Sequence, residues 1–502
     1  MGPTHYILRM ETNRRFFLKT AGALALAGSQ VPLLAREDKG ILVNDVHSAL
    51  NPTRVRQVET VESIKQLQRI IRRSARKGAK VSIAGGRHAM GAQQFATDSV
   101  LLDTRSLGRI LDFDGERGFV KVEAGIQWPA LVNDLLEAQR LEKRQWGIRQ
   151  KQTGADRLSI GGALGANVHG RGLKMKPFVE DVEAFELVNA KGELLTCSRK
   201  ENPELFKLAI GGYGLLGMIY SVTLRLVPRR KVRRMVKVIQ LEEFLPAIEK
   251  RVQEGFTFGD FQYDINEKSD NFMRRGIFSC YQPVADAAPV PQEQKKLGRK
   301  NWLKLLRLAY VDREKVFDVY ADYYRSTSGQ TYWSDTHQMS LYVDDYRKFI
   351  DEKTGPRTPS SLMISELHAP REKLTEFMLG ARAILRKRGT PVIYGTIRLI
   401  EKDDETFLPW ARERYANVIF NLLVEHTEAG KRKAADTFRE LIDLSIKLGG
   451  SYYLTYHKWA RKDQVLACYP QMPEFFRLKR VHDPDELFQS DWYRHHLKLL
   501  EA

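Results

Sequence analysis

Cysteine is scarce in this 502-residue chain: Cys197, Cys280 and Cys468 are all it has, in no metal-binding spacing. The odd count leaves at least one thiol free or intermolecular, so no disulfide framework can be argued. There is no His-Glu-x-x-His motif and no paired-Cys motif, and Arg494-His495-His496 reads as a basic tail, so no metal site is expected. The Gly-x-Ser-x-Gly elbow of the serine hydrolases is also missing. Lys and Arg (81) exceed Asp and Glu (62), for a net charge of +19, yet no long basic block with interleaved aromatics occurs. Nucleic acid is therefore not an expected partner, and the excess reads as dispersed surface charge. Acidic substrates and peripheral contact with an anionic membrane stay open. The apolar stretch from Ala21 to Leu34 is too short for a membrane span and is broken by Gly22, Gly28, Ser29, Gln30 and Pro32.

What the chain does have is length, apolar residues and two telling glycine segments. At 502 residues it exceeds the size at which single cores stop growing, and 43% apolar residues suffice for two. Ile64, Leu67, Ile70 and Ile71 share one helical face, with Thr60 placed as N-cap and Gly78 as terminator. Val81 and Ile83 then alternate as in a strand and lead to Gly85-Gly86-Arg87-His88. Gln127 to Ala138 reads as a second helix with Leu131, Leu135 and Leu136 inward. Val182 to Val188 reads as a strand ending in the Asn189-Ala190-Lys191-Gly192 turn. The second glycine segment is the loop from Ser159 to Gly170. Glycines allow positive φ and let backbone N–H groups approach an anion. A third cluster, Gly212-Tyr213-Gly214-Leu215-Leu216-Gly217, fits the dinucleotide string Gly-x-Gly-x-x-Gly. The fingerprint needs a helix to open at its last glycine, and Val222, Leu224 and Leu226 alternate as a strand instead, so Rossmann binding is rejected.

Five elements in order resemble the flavoproteins of the vanillyl-alcohol oxidase and p-cresol methylhydroxylase type: Val81 to His88, Leu102 to Leu107, Val122 to Trp128, Ser159 to Gly170 and Gly211 to Ile219. The segment from Lys479 to Asp491, with its Asp483-Pro484 and Phe488, resembles the end of sugar, lactone and alditol oxidases and of decaprenylphosphoryl-ribose oxidase. The resemblance implies an α+β fold with a p-cresol methylhydroxylase-type FAD-binding domain over residues 48–230, a substrate or cap domain over 231–448, and a segment over 449–502 that returns to the first. It implies FAD held by Gly85, Gly86, Arg87, His88, Ala89, Met90, Thr153, Gly154, Ser159, Gly161, Gly162, Gly165, Ala166, Asn167, His169, Gly170, Gly217 and Ile219. His88 is the expected covalent tether to the flavin 8α carbon, with His169 lying along the FAD, and no cysteine between Gln152 and Gly172 offers a second link.

The implied chemistry is oxidation of a CH–OH group of a sugar, polyol, lactone or related alcohol by hydride transfer to flavin N5, with oxygen or a quinone or cytochrome as acceptor. Positive charge near flavin N1–C2=O and a group facing the hydroxyl are then needed. Tyr394-Gly395-Thr396-Ile397-Arg398, followed by Asp403-Asp404, resembles the Glu-x-Arg segment of alditol and aldonolactone oxidases, with Arg398 in the arginine's place and Thr396 replacing the glutamate. Tyr452 to Trp459 resembles their His-Trp-x-Lys region. Read as a strand, it points Tyr456 and Lys458 one way and His457 the other, so either His457 or the Tyr456/Lys458 pair faces the hydroxyl. Glu366 and His368 share one strand face, as channel-lining groups or solvated edge residues. Two other readings are a sterol-type alkene reductase of the same fold and a non-catalytic, basic surface-binding flavoprotein. Asn13-Arg14-Arg15-Phe16-Phe17-Leu18-Lys19 resembles a twin-arginine signal ending near Ala35, which implies the twin-arginine export machinery as a partner and a periplasmic or otherwise exported location.

Overall fold

After a short antiparallel pair, Ile41–Val43 with Thr53–Val55, come three parallel strands: β1 (Gln57–Thr60), β2 (Val81–Ala84) and β3 (Val100–Asp103), in the order β1-β3-β2. The computed structural model describes residues 40–501 apart from 342, 344, 345, 356 and 357, so the Arg14-Arg15 motif lies outside the described residues. Parallel neighbours need a crossover. Helix α1 (Ile64–Arg76) supplies the crossover from β1 to β2, which flank β3, and buries Leu67, Ile70 and Ile71. Its cap is Ser63 rather than Thr60: Ser63 Oγ accepts from Gln66 N–H at 3.3 Å, while Thr60 is held in β1 opposite Asp103. Gly78, at φ +62°, follows the helix end.

A second, antiparallel sheet follows from β4 (Ile110–Asp114), β5 (Phe119–Glu123), β6 (Val182–Val188), β7 (Leu194–Ser198) and β8 (Met218–Arg225), ordered β7-β6-β8-β5-β4. Between β5 and β6 run α2 (Trp128–Ala138) and the short α3 (Ile160–Gly165), so part of the segment read as a loop is one helical turn and a half. Ser159 starts it by accepting from Gly162 N–H. Gly217 leads into strand β8, not into a helix, which removes the dipole geometry that a Rossmann site needs.

The third sheet has eight strands: β9 (Lys231–Gln240), β10 (Phe258–Tyr263), β11 (Arg275–Val284), β12 (Thr331–Trp333), β13 (Ser360–Pro370), β14 (Val392–Ile400), β15 (Tyr415–Glu425) and β16 (Ser451–Tyr452). Their order is β12-β9-β11-β10-β14-β15-β13-β16. Phe261 and Phe278, a registered pair, meet Phe244 of α4 (Leu241–Gln253) on one face. The neighbouring pair Gln262 and Ile277 must then point to the other face, because side chains alternate along a strand. Ile277 packs there on Phe317 and Ala321 of α6 (Arg313–Ser326), which follows α5 (Arg299–Val311). This second face carries the site.

The chain end closes on β2. Val81 N–H donates to Leu487 O and Gln489 N–H to Val81 O, each at 2.8 Å. Asp483 fixes that crossing: its carboxylate accepts from Leu487 N–H (2.8 Å), Phe488 N–H (2.9 Å) and Lys479 Nζ (2.8 Å), with both side chains fully buried. Arg494, His495 and His496 belong to the helix Asp491–Glu501, not to a loose tail. His496 is buried against Trp492, with ring centroids 4.3 Å apart.

Candidate functional site

Strand β2 delivers the first glycine segment against the second. A Cβ on Gly85 would lie 2.1 Å from Ser159 Oγ and one on Gly86 2.4 Å from Arg157 O, so only glycine permits the approach. Among the described residues, the N–H groups of Gly86, Arg87 and Ala89 have no hydrogen-bond acceptor. Arg87 adds a guanidinium 3.3 Å from Asp103 Oδ2. His88 Nδ1 lies 2.9 Å from Nε2 of His47, whose own pKa is pushed down to about 4 by burial and the nearby Arg347 charge.

These residues line a slot of about 210 Å³ together with Met90, Thr153, Gly154, Ser159, Gly161, Gly162, Gly165, Ala166, His169, Gly217 and Ile219. Asn167 and Gly170 stand behind it. Asn167 is tied to Asp403 Oδ2 (2.9 Å) and Val179 N–H (3.0 Å), and Gly170 is closed against Lys151, where a Cβ would meet the carbonyl at 2.8 Å.

A second cavity of about 690 Å³ adjoins the slot under the eight-stranded sheet. Six residues line both: His47, Thr153, Gly154, Ile364, Arg398 and Tyr456. Arg398 is 8% exposed, and among the described residues its guanidinium makes no hydrogen bond or ion pair. A buried guanidinium without hydrogen-bond partners is costly unless a ligand supplies them. Tyr456 Oη donates to Glu366 Oε2 at 3.2 Å, and Glu366 Oε1 lies 2.6 Å from His169 Nε2. His169 Nδ1 faces the Gly170 carbonyl at 3.1 Å, and Asn417 Nδ2 lies 3.4 Å from Nε2. Burial pushes the Glu366 carboxyl upward, but the charge and hydrogen bond of His169 outweigh it and hold the pKa below the usual value. Burial, with the Glu366 charge next, drives the Tyr456 phenol far above its ordinary range.

The Tyr452 to Trp459 segment is a strand only through Tyr452 and then turns, so strict alternation does not apply. Tyr456 reaches the junction. His457 and Lys458 line neither cavity. His457 is buried beside Trp459 and Ser365, and its pKa is depressed by burial and by Arg439, as suits a neutral core histidine. Glu366 (1% exposed) and His368 (0%) are interior groups rather than solvated edge residues, because β13 lies between β15 and β16. His368 is held to Asn417 Oδ1 at 2.9 Å. Sequence reasoning missed His47, Arg171, Asp260, Gln262 and Asn421. Only the alternation of Asp260 and Gln262 between Phe258, Phe261 and Tyr263 offered a signal.

The slot fits an elongated anionic cofactor on its own chemistry. It has three unused backbone donors, Arg87, and the buried Thr153 Oγ1 and Gln94 Oε1 without partners among the described residues. Among those residues no His, Cys, Asp and Glu cluster suits a metal ion.

Comparison with known proteins agrees. A family model described as FAD binding domain matches residues 55–198. The chain is 25% identical over 431 residues, 86% of its length and 93% of the relative's, to L-gulono-1,4-lactone dehydrogenase of Mycobacterium tuberculosis. It is 28% identical over 197 residues to L-gulonolactone oxidase of Bos taurus, covering 39% of this chain and 43% of that one. It is 27% identical over 207 residues to mitochondrial L-galactono-1,4-lactone dehydrogenase of Arabidopsis thaliana, covering 40% and 33%. Fold, slot and matches define an FAD-dependent oxidoreductase with a p-cresol methylhydroxylase-type FAD domain. Within that superfamily the chain is similar to sugar and aldonolactone oxidases and dehydrogenases.

Proposed function

We propose that this protein oxidises a CH–OH group of a sugar, lactone or polyol-type alcohol where the slot meets the larger cavity. The observation that carries the reading is the pairing of an unpartnered Arg398 guanidinium with Tyr456 at that junction. FAD, when bound, supplies the acceptor for the hydride leaving carbon. The chain's own part is to take the hydroxyl proton and to place positive charge. Tyr456 Oη receives the substrate proton as its own passes to Glu366 Oε2, and His169 holds that carboxylate ready as an anion. A phenol with a strongly raised pKa serves as a conduit, so the net acceptor is Glu366. Arg398 stabilises negative charge that develops on the acceptor side.

We read residues 231–448 as the substrate module, His88 as the covalent tether and residues 1–35 as a twin-arginine export signal. Support for the tether is that His88 lines the slot with a neutral His47 at 2.9 Å. Support for export is the sequence pattern alone. Under anaerobic conditions the bound flavin should bleach on addition of a sugar-type alcohol. Bleaching by NAD(P)H alone would point to the alkene reductase and overturn the reading. Acid precipitation should leave a yellow pellet that His88→Ala turns white, whereas flavin in the wild-type supernatant would sink the covalent link.

A further inference from the structure

The larger cavity is built for more than one sugar ring. Its 690 Å³ lies within the range of about 300–1,000 Å³ typical of sites that enclose drug-sized ligands. Away from Arg398 and Tyr456 the wall changes character. Helix α5 presents Trp302, Leu305 and Ala309, and α6 presents Val316, Phe317 and Tyr320. Trp302 and Tyr320 have ring centroids 6.1 Å apart and form an aromatic shelf. The sheet face on which these helices pack lines the same cavity with a different chemistry. There Asp260 Oδ1, Gln262 Oε1 and Asn421 Oδ1 are buried acceptors with no hydrogen-bond partner among the described residues. A buried acceptor left without its bond is costly, so a ligand that donates to all three is selected over one that does not. Acceptors on one wall and rings on the other match a molecule with hydroxyl donors on one side and a flat apolar group on the other.

We propose that the substrate is a polyhydroxylated alcohol carrying an aromatic substituent, with its hydroxyls on the Asp260, Gln262 and Asn421 wall and its ring against Trp302 and Tyr320. The inference rests on the CH–OH oxidation reading and narrows its substrate class. Benzyl β-D-glucoside and methyl β-D-glucoside present the same hydroxyls and differ in the aglycone, so they serve as matched probes in calorimetric titrations of the holoprotein. The benzyl compound should bind at least about tenfold more tightly, and Trp302→Ala should remove most of that advantage. Ala309→Phe, which fills the same space from the opposite sense, should narrow the ratio too. Retention of the flavin spectrum shows that each variant is folded. Equal affinities for the two glucosides, or a ratio unmoved by both variants, overturn the aromatic substrate class while leaving CH–OH oxidation intact. Failure of every sugar-type alcohol to bleach the flavin overturns the function beneath it.

Discussion

Replacing Glu366 by Gln tests the charge at the centre of the junction with almost no change of shape. The wild-type carboxylate is 1% exposed and joins two donors, His169 Nε2 at 2.6 Å and Tyr456 Oη at 3.2 Å. The amide keeps one acceptor but turns an N–H₂ toward one of those donors and removes the buried negative charge. Leaving a buried donor without its acceptor typically costs about 1–3 kcal/mol, more where the lost acceptor is charged. The folded-state pKa of Glu366 is lowered, so its contribution is fully present above the ordinary carboxyl value and is lost as pH falls through the folded value. Urea unfolding should therefore show Glu366→Gln less stable than wild type by a constant gap between about pH 7 and about pH 5, shrinking at more acidic pH. Flavin reduction at neutral pH should slow as well, because the relay loses its terminal acceptor. No gap at neutral pH, or one that persists undiminished into acid, would refute the charged Glu366 carboxylate.

Two further changes probe the chemistry and the scaffold separately. Arg398→Ala should lower the anaerobic flavin-reduction rate by roughly 10²–10³-fold, the scale of losing one preorganised charge donor, with partial rescue by Arg398→Lys; an unchanged rate would remove Arg398 from the mechanism. Asp483→Ala leaves Lys479 buried and unpaired and frees two backbone donors, so it should cost about 3–5 kcal/mol in stability and speed flavin loss on dialysis of a His88→Ala background, whereas an unshifted unfolding midpoint would show that the chain end is held by other contacts.

The FAD-binding side of the molecule was legible because its constraints are written as residue type. Gly85 and Gly86 are required by backbone approach to Ser159 and Arg157, and such demands leave a glycine in the sequence whatever the rest of the chain does. The rejection of a Rossmann helix after Gly217 rested on alternation over Val222 and Leu224, a period that strand β8 keeps. Cap positions are less secure. Thr60 and Ser63 have equal capping chemistry, and what separates them is the pairing of Thr60 with Asp103, a contact forty-odd residues away that no local pattern records.

The substrate side resisted reading for a related reason. Tyr456, His457 and Lys458 follow one another, and in an extended strand two of them would share a face. The chain instead leaves β16 at Tyr452 and turns, so burial sorts the three individually: Tyr456 to the junction, His457 into an aromatic core position beside Trp459, and Lys458 away from both cavities. The partner that gives Tyr456 its meaning, Glu366, lies ninety residues earlier on β13, and the histidine that holds Glu366 belongs to the second glycine segment. A proton relay assembled from three separate segments leaves no spacing in the sequence. It becomes visible only in the folded chain, where a buried carboxylate stands between an imidazole that lines the slot and a phenol that lines both cavities. On the proposed mechanism this arrangement ties cofactor binding to proton removal: His169 lines the slot and also holds Glu366, so a shift of the second glycine segment is felt at Tyr456 through two hydrogen bonds.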